Sequence, residues 1–135
     1  MMFDLTGMTA LVTGASGGLG SAIAKALAAQ GARLAVSGSN GGKLGAFREE
    51  LGGDHVALPC NLSDGAAVDQ LVPQAVEALG GKLDILVNNA GVTRDNLLMR
   101  MKEEDFTEVL DANLTAAYRV SKRAAAKMVR ARSGR

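Results

Sequence analysis

The sequence predicts an α/β fold in which a parallel sheet is wound with helices on both faces. Four apolar runs, each long enough for a strand, alternate along the 135 residues with segments of helical period. Strands that consist of unbroken aliphatic runs are typical of parallel sheets buried on both faces. Because crossovers between parallel strands are right-handed, few topologies remain, and we predict the doubly wound strand order 3-2-1-4.

The first half of the chain is predicted to contain three strands and two helices. The strands are predicted at residues 8–13, 32–37 and 55–60. The helices are predicted at residues 18–30 and 43–51, with a polar, glycine-rich loop at 38–42. Glycines follow both helices, at Gly31 and at Gly52, as they commonly do where a helix ends.

The second half is predicted to contain one strand and two helical segments. Asp64 is a suitable N-cap for the first of these, and apolar residues follow it at helical spacing. They are Val68, Leu71, Val72, Ala75, Val76 and Leu79. Pro73 lies inside this helix, where proline can introduce a kink. The fourth strand is predicted at residues 83–87, and helical material at about 103–131.

Composition excludes several classes of protein. No apolar stretch approaches the ~20 residues that span a membrane, and the N-terminus lacks the basic and apolar segments of a signal peptide. Cys60 is the single cysteine, so it cannot form an internal disulfide, and we interpret it as a small buried residue. These features predict a cytoplasmic protein. His55 is the single histidine and has no further ligand at metal-binding spacing, so we expect no metal site.

Charge is distributed unevenly along the chain. Residues 1–111 carry a net charge of −6 and residues 112–135 a net charge of +7. Such a basic segment can attract nucleic acid, an acidic protein or a membrane surface, or it can be one solvated face of a helix. Because Tyr118 is the single aromatic residue of this segment and no series of aromatics is interleaved for base stacking, we expect no nucleic-acid partner. We also expect no membrane partner.

A glycine-rich loop between the first strand and the first helix is the strongest functional signal. It consists of Gly14, Ala15, Ser16, Gly17, Gly18, Leu19 and Gly20. Glycines allow a sharp turn and a close approach of the backbone to a ligand. The helix that follows presents free N–H groups and the positive end of its dipole, which favours a phosphate. A loop in this position binds the pyrophosphate of a dinucleotide.

Three motifs together resemble those of the short-chain dehydrogenase/reductase family. They are Thr13-Gly14-x-x-x-Gly18-x-Gly20, Asn88-Asn89-Ala90-Gly91 after the fourth strand, and Asn113 in the following helix. Residues 89–102 look like the branch of this family that reduces 3-oxoacyl chains on acyl carrier protein in bacterial fatty-acid synthesis. The likeness covers essentially the whole chain, and it implies a single NAD(P)-binding Rossmann domain over residues 1–135.

The resemblance implies the contacts of a nicotinamide dinucleotide. The loop from Gly14 to Gly20, Ala15 included, would wrap the pyrophosphate and its adjoining ribose. Asn61 and Leu62, just after the third strand, would border the adenine. Asn89, Ala90 and Gly91 would line the crevice. For Asn88 we favour a structural role, in which its amide ties neighbouring strands together.

The cofactor is predicted to be NADP rather than NAD. A carboxylate about 20 residues after the glycine loop would accept the ribose hydroxyls and repel a 2′-phosphate. The second strand instead ends in Val36-Ser37-Gly38-Ser39-Asn40. Ser39 and Ser16 are expected to bind the phosphate, and Lys43 is near enough to add charge. Gly17 departs from the family pattern, because members that prefer NADP often have arginine there.

The resemblance also implies a catalytic Ser, Tyr, Lys and Asn, of which Asn113 matches the Asn that organises a proton-relay water. An exposed Asn bonded to backbone is the alternative. Tyr118 and Lys122 match the family's Tyr-x-x-x-Lys spacing, but we reject them. In an α-helix they would lie ~140° and ~180° from Asn113, and Asp105 stands where the serine would fall. Tyr118 is expected to pack at a helix–helix contact.

The missing catalytic residues are expected after a fifth strand that begins beyond Arg135. The sequence is therefore interpreted as a truncated reductase, inactive alone, whose fourth strand is an exposed sheet edge. NADPH-dependent reduction of 3-oxoacyl-acyl carrier protein is the leading hypothesis. The alternatives are a short-chain reductase for another ketone and a non-catalytic nucleotide-binding fragment. The resemblance implies contact between Arg132 and the acidic carrier protein, and a homotetramer built partly from the helix ending near Ala131.

Overall fold

A computed structural model describes residues 2–92 and 94–135, and it confirms the predicted fold class. The four strands of the described residues are parallel and lie in the order β3-β2-β1-β4. Their bounds are Thr9–Thr13 for β1, Arg33–Ser37 for β2, Val56–Ala57 for β3 and Ile85–Val87 for β4. Thr93, within the stretch that carries the family resemblance, lies outside the described residues.

Five α-helices are present in the described residues. Their bounds are Gly18–Ala29 for α1, Gly41–Leu51 for α2, Gly65–Ala78 for α3, Glu103–Leu110 for α4 and Ala116–Ala131 for α5. A 3₁₀ turn covers Leu98–Arg100 and a π-helical turn covers Asp111–Thr115. None of these helices combines the length and the apolar character needed to cross a bilayer.

The sheet is buried between two layers of helices because its strands are apolar on both faces. Along β1, Leu11 packs into a cluster that includes α3 and α5. Its neighbours Ala10 and Val12 pack into a second cluster with α1 and α2. All of β1 is buried. The sheet therefore has the two helical layers that the aliphatic runs predicted.

Side chains shift two element boundaries from their predicted positions. The helix predicted from Lys43 begins at Gly41, because Asn40 caps it and accepts a hydrogen bond from the Lys43 N–H at 3.0 Å. The strand predicted from Leu83 begins only at Ile85. There the Asp84 carboxylate, rather than a backbone carbonyl, accepts from the Thr9 N–H at 2.8 Å. The predicted cap at Asp64 is confirmed.

The helical material predicted at about 103–131 consists of α4, a π turn and α5. Its middle turn is π-helical, and the Ala116 N–H donates to the carbonyl of Asp111, five residues before it. The angles of ~140° and ~180° that separate Tyr118 and Lys122 from Asn113 were derived for a regular α-helix with ~100° per residue. That assumption is wrong here, because Asn113 lies in the π turn, where each residue turns the helix through a smaller angle.

The outer edge of β4 is paired with the last residue of the chain. The Arg135 N–H donates to the Asp84 carbonyl at 3.0 Å, and the Leu86 N–H donates to the Arg135 carbonyl at 2.9 Å. The expectation that the outer edge of β4 is exposed is therefore wrong at Leu86, whose N–H is paired with Arg135.

A histidine side chain takes the place of a strand carbonyl at the start of β3. His55 Nδ1 accepts a hydrogen bond from the Leu34 N–H of β2 at 3.0 Å, so β3 begins only at Val56. The strand assignment ends at Ala57, short of the predicted 60, although the N–H groups of Leu58 and Cys60 still donate to the carbonyls of Val36 and Gly38. Burial lowers the pKa of His55. The nearby Arg48 and Arg33 lower it further, and Asp54 opposes them. The neutral imidazole is therefore the form that the fold requires.

We predict that His55 makes the fold sensitive to mild acid. Its pKa in the folded state lies below the ordinary value of 6.5, so between these values the unfolded chain binds more protons. The stabilisation is therefore complete above pH 6.5 and is lost as the pH falls through the folded-state pKa. His55→Asn keeps an acceptor near the Leu34 N–H but does not titrate. Urea unfolding between pH 7.5 and 5 should give a falling free energy for the wild type and a flatter profile for His55→Asn. Equal slopes would contradict this role.

Candidate functional site

A crevice of about 440 Å³ opens at the carboxyl ends of the central strands. It lies between the loop after β1 and the loop after β4, where parallel α/β sheets bind ligands. The structure brings together there all but one of the residues expected to bind a cofactor. They are Gly14, Ser16, Gly17, Gly18, Leu19, Gly20, Ser39, Asn61, Leu62, Asn89, Ala90 and Gly91.

Ala15 is the exception among these residues. It is fully buried and packs in the core between the sheet and α1. Its N–H donates to the Ser37 carbonyl at the end of β2 at 3.0 Å. The turn directs the small side chain of Ala15 into the core and away from the crevice. Ala15 therefore anchors the loop to the sheet.

Thr13 joins the two walls of the crevice and was missed as a functional residue. Its Oγ1 accepts hydrogen bonds from the N–H groups of Asn89 and Ala90, both at 3.1 Å. The same hydroxyl donates to the Val87 carbonyl at 3.3 Å. Thr13 is buried, and a hydroxyl predicted in a buried strand needs partners nearby, which is the sequence signal that could have identified it.

The Asn89 amide lies against the glycine loop, and at two positions of the loop only glycine leaves room for it. Asn89 Nδ2 donates to the carbonyls of Thr13 and Gly14, both at 3.2 Å. Gly14 has φ +64°, and a Cβ there would lie 2.8 Å from the Ala90 Cα. A Cβ at Gly20 would collide with the Gly14 carbonyl and lie 2.5 Å from Asn89 Nδ2. These two glycines are needed for the protein's own packing.

Gly17 and Gly18 leave space on the ligand side instead. A Cβ at Gly18 would meet nothing within 4 Å, and one at Gly17 would make only an ordinary contact of 3.5 Å. Gly17 is the N-cap of α1 and supplies no side-chain cap. The start of α1 thus lines the crevice, and its first N–H groups have no side-chain cap, which suits an anionic ligand.

Asn88 and Asn113 hold the far wall of the crevice in place. Asn88 Nδ2 donates to Ser121 Oγ of α5 at 2.9 Å, so the expectation that it ties neighbouring strands was wrong. Asn113 accepts from the Val92 N–H and donates to the Val92 carbonyl, both at 2.8 Å. Both asparagines line a smaller cavity of about 40 Å³ beside the crevice.

Tyr118 lies outside the crevice. It is 64% exposed, so the expected packing against another helix does not occur within this chain. Cys60 does lie in the crevice wall and is a free, buried thiol, as predicted. Burial, with Asp64 nearby, raises the pKa of this thiol. Among the described residues no cluster of three or more His, Cys, Asp or Glu is placed to hold a metal ion.

The strand order and the glycine-lined crevice define a Rossmann-type α/β protein. The short chain dehydrogenase family model matches residues 8–135. The chain belongs to this family, whose members are oxidoreductases, and membership implies a nicotinamide nucleotide as cofactor.

Individual relatives are similar over nearly the whole chain. Nodulation protein G of a Rhizobium species is 48% identical over 134 residues. The 3-oxoacyl-acyl-carrier-protein reductases of Rickettsia bellii and Escherichia coli are 47% and 43% identical. These matches cover 98–99% of this chain and 54% of each relative. The chain thus spans about half the length of the curated relatives it matches.

A solved structure agrees with the fold. A short chain dehydrogenase from Mycobacterium smegmatis superposes with a TM-score of 0.86 at 34% identity. The superposition covers 93% of this chain and 54% of that chain. The likeness therefore extends from the sequence motifs to the three-dimensional arrangement of the strands and helices.

We predict opposite effects of adding one methyl group at two glycines of the loop. Gly20→Ala should lower the free energy of unfolding by about 2 kcal/mol or more, because backbone must move to admit the Cβ. Gly18→Ala, in an open position at the start of α1, should leave stability unchanged or raise it by up to about 1 kcal/mol. Urea unfolding of both variants measures this. Equal destabilisation would contradict the assignment of the two glycines to different roles.

Proposed function

We propose that this chain forms the cofactor-binding part of an NADPH-dependent reductase of 3-oxoacyl chains carried on acyl carrier protein. The observation that carries the proposal is the crevice in which the glycine loop faces Asn89, Ala90 and Gly91. NADPH would supply the hydride for reduction of the β-carbonyl. The two curated reductases of similar sequence support the substrate class.

The residues present fit a dinucleotide along the length of the crevice. The uncapped start of α1 and the open positions at Gly17 and Gly18 would receive the pyrophosphate. Asn61 and Leu62, which follow β3, also line the crevice, and an amide and an apolar side chain suit adenine. Asn113 is our candidate for organising the proton-relay water, and its side chain already orders the crevice wall through Val92.

The end of β2 supports the preference for NADP. Ser39 lines the crevice beside Gly38, and a Cβ at Gly38 would approach Ser16 Oγ to 3.2 Å. The absence of a side chain at Gly38 thus lets the two serines share one corner. Asn40, the next residue, caps α2, so a phosphate bound by Ser39 would lie near the positive end of that helix dipole. Hydroxyl donors and a helix N-terminus favour a 2′-phosphate.

The end of α5 supports contact with an acidic carrier protein. Arg132 has φ 56° and ψ 28°, a left-handed conformation that favours glycine and costs an arginine about 1–2 kcal/mol. A charged side chain retained in a strained conformation is consistent with a binding role. It would attract the acidic carrier protein to the end of α5.

We further propose that the protein assembles as a homo-oligomer, a tetramer when complete, in the cytoplasm. Exposed apolar side chains recur every four residues from α4 through the π turn into α5. They are Phe106, Leu110, Leu114 and Tyr118, which are 39–65% exposed. A continuous apolar stripe of this kind is typical of an interface between subunits.

A reductase of another ketone is the second candidate. It is favoured by the 48% identity to a protein named for nodulation rather than for fatty-acid synthesis. The crevice described here would bind the same cofactor in both cases. The two candidates therefore differ in substrate and not in the use of the glycine loop.

We predict that a carboxylate at Ser39 reverses the cofactor preference. The wild type should bind NADPH at least about 10-fold more tightly than NADH, and Ser39→Asp should favour NADH by repelling the 2′-phosphate and accepting the ribose hydroxyls. Titration of nicotinamide fluorescence measures both affinities. Ser63→Asp adds the same charge elsewhere in the crevice and should not reverse the preference. Tighter binding of NADH by the wild type would contradict the proposal.

The reaction itself can be tested in a chimera of this chain with the C-terminal half of the Escherichia coli reductase. The chimera should oxidise NADPH with acetoacetyl-acyl carrier protein, whereas this chain alone should bind NADPH without oxidising it. Arg132→Gly should raise KM for the carrier-bound substrate and not for a carrier-free thioester. Oxidation by this chain alone would overturn the rejection of Tyr118. Activity of the chimera on unrelated ketones only would favour the second candidate.

A further inference from the structure

Two sets of contacts hold the loop after β4 against the helix that carries Asn113. The first is the pair of hydrogen bonds between Asn113 and the backbone of Val92. The second is an ion pair between Arg94 and Glu108 of α4. Arg94 Nη2 lies 2.6 Å from Glu108 Oε1, and Arg94 Nε lies 3.2 Å from Oε2. Both carboxylate oxygens are engaged by one guanidinium, which fixes the geometry more strongly than a single contact would.

The π turn explains how both contacts can face the same loop. Glu108 and Asn113 are five residues apart, and in a regular α-helix they would point ~140° away from each other. The π turn at Asp111–Thr115 is wound more loosely. It therefore rotates Asn113 back toward the side of the helix that Glu108 occupies. Residues 92 and 94, two positions apart on the loop, can then each reach the helix.

The ion pair stands at the rim of the crevice. Arg94 and Glu108 both line it, and Glu108 also lines an outer recess with Asn61 and Ser63. The pair thus lies where the crevice meets the outer recess, and Asn61 lines both. Its side chains are 45% and 37% exposed, so salt should weaken the pair.

We propose that Arg94 and Glu108 form a clasp that positions the loop after β4 for dinucleotide binding. The inference rests on the proposed function, since the dinucleotide is its ligand. Both are positioning residues, which act on the ligand through the backbone of the loop. Because each neutralises the other, the clasp fixes the wall without adding net charge to a crevice that receives an anion.

The effect of removing Glu108 distinguishes the clasp from a direct contact between Arg94 and a phosphate. If Arg94 bound the phosphate itself, removal of the competing carboxylate would tighten binding. In a clasp, removal of either partner releases the same loop. Both single substitutions should then weaken binding.

The experiment is a double-mutant cycle read out by the dissociation constant for NADPH. Arg94→Ala and Glu108→Ala should each raise this constant about 3-fold or more, and the double variant should be no weaker than the weaker single variant. The exposed pair Lys25–Glu50, at 2.7 Å and with neither residue in the crevice lining, provides a matched control cycle. Its variants should bind NADPH as the wild type does. Thermal unfolding confirms that each variant is folded.

Salt dependence of NADPH binding provides a second measurement, in which the wild type is compared with the double variant. Between 20 and 500 mM NaCl the wild type should lose more affinity for NADPH than the double variant, because only the wild type has a clasp to screen. Additive effects in the cycle, tighter binding by Glu108→Ala, or equal salt dependence would each overturn the clasp alone. A wild type that binds neither NADPH nor NADH would overturn the proposed function and the clasp with it.

Discussion

The candidate site depends on the link between the ends of β1 and β4. Parallel strands bring their carboxyl ends to one edge of a sheet, but they do not by themselves hold two loops at a fixed separation. Here Thr13 and Asn89 provide that constraint. The Thr13 hydroxyl accepts two N–H groups of the loop after β4, and the Asn89 amide donates back to two carbonyls of the glycine loop. Each loop thus satisfies backbone groups of the other.

This link divides the glycines into two kinds. Gly14 and Gly20 pack against Asn89 or its neighbour, and a side chain at either would break the link. Gly17 and Gly18 face open space at the start of α1. One loop therefore combines a rigid support with an open anion-binding surface. The loop after β4, which forms the far wall, also combines support with an open surface. Asn113 and the Arg94–Glu108 pair hold this loop in place, and residues of the same loop line the crevice.

The sequence predicts the parts of this protein that follow from periodicity and from backbone constraints. The aliphatic runs predict the parallel sheet and its order, and the glycine spacing predicts a loop next to a helix start. The sequence does not predict strand boundaries where a side chain, instead of a backbone carbonyl, accepts a hydrogen bond from the neighbouring strand. His55 accepts a bond at the edge of β2, and Asp84 takes over the start of β4. Neither substitution has a periodic signal, so the sequence does not predict that β3 begins only at Val56 and β4 only at Ile85.

The site shows the same limit. Motifs indicate which residues meet at the crevice, yet Ala15 is buried in the core and Asn88 binds α5. Both outcomes depend on the direction in which a side chain leaves the turn, which residue type alone does not determine. Sequence periodicity likewise does not predict the π turn before α5, because it assumes a constant number of residues per turn. It changes which residues of that helix share a face.

The link between β1 and β4 is tested most directly by comparing Asn89→Asp with Asn88→Asp in NADPH binding. The two substitutions introduce the same charge at adjacent positions. A carboxylate at 89 cannot donate to the carbonyls of Thr13 and Gly14, whereas a carboxylate at 88 can accept from the Ser121 hydroxyl. Asn89→Asp should lower the free energy of unfolding by about 1–3 kcal/mol and weaken NADPH binding at least about 10-fold, and Asn88→Asp should do neither. Equal NADPH affinity and equal stability in the two variants would contradict the claim that the link between β1 and β4 builds the site.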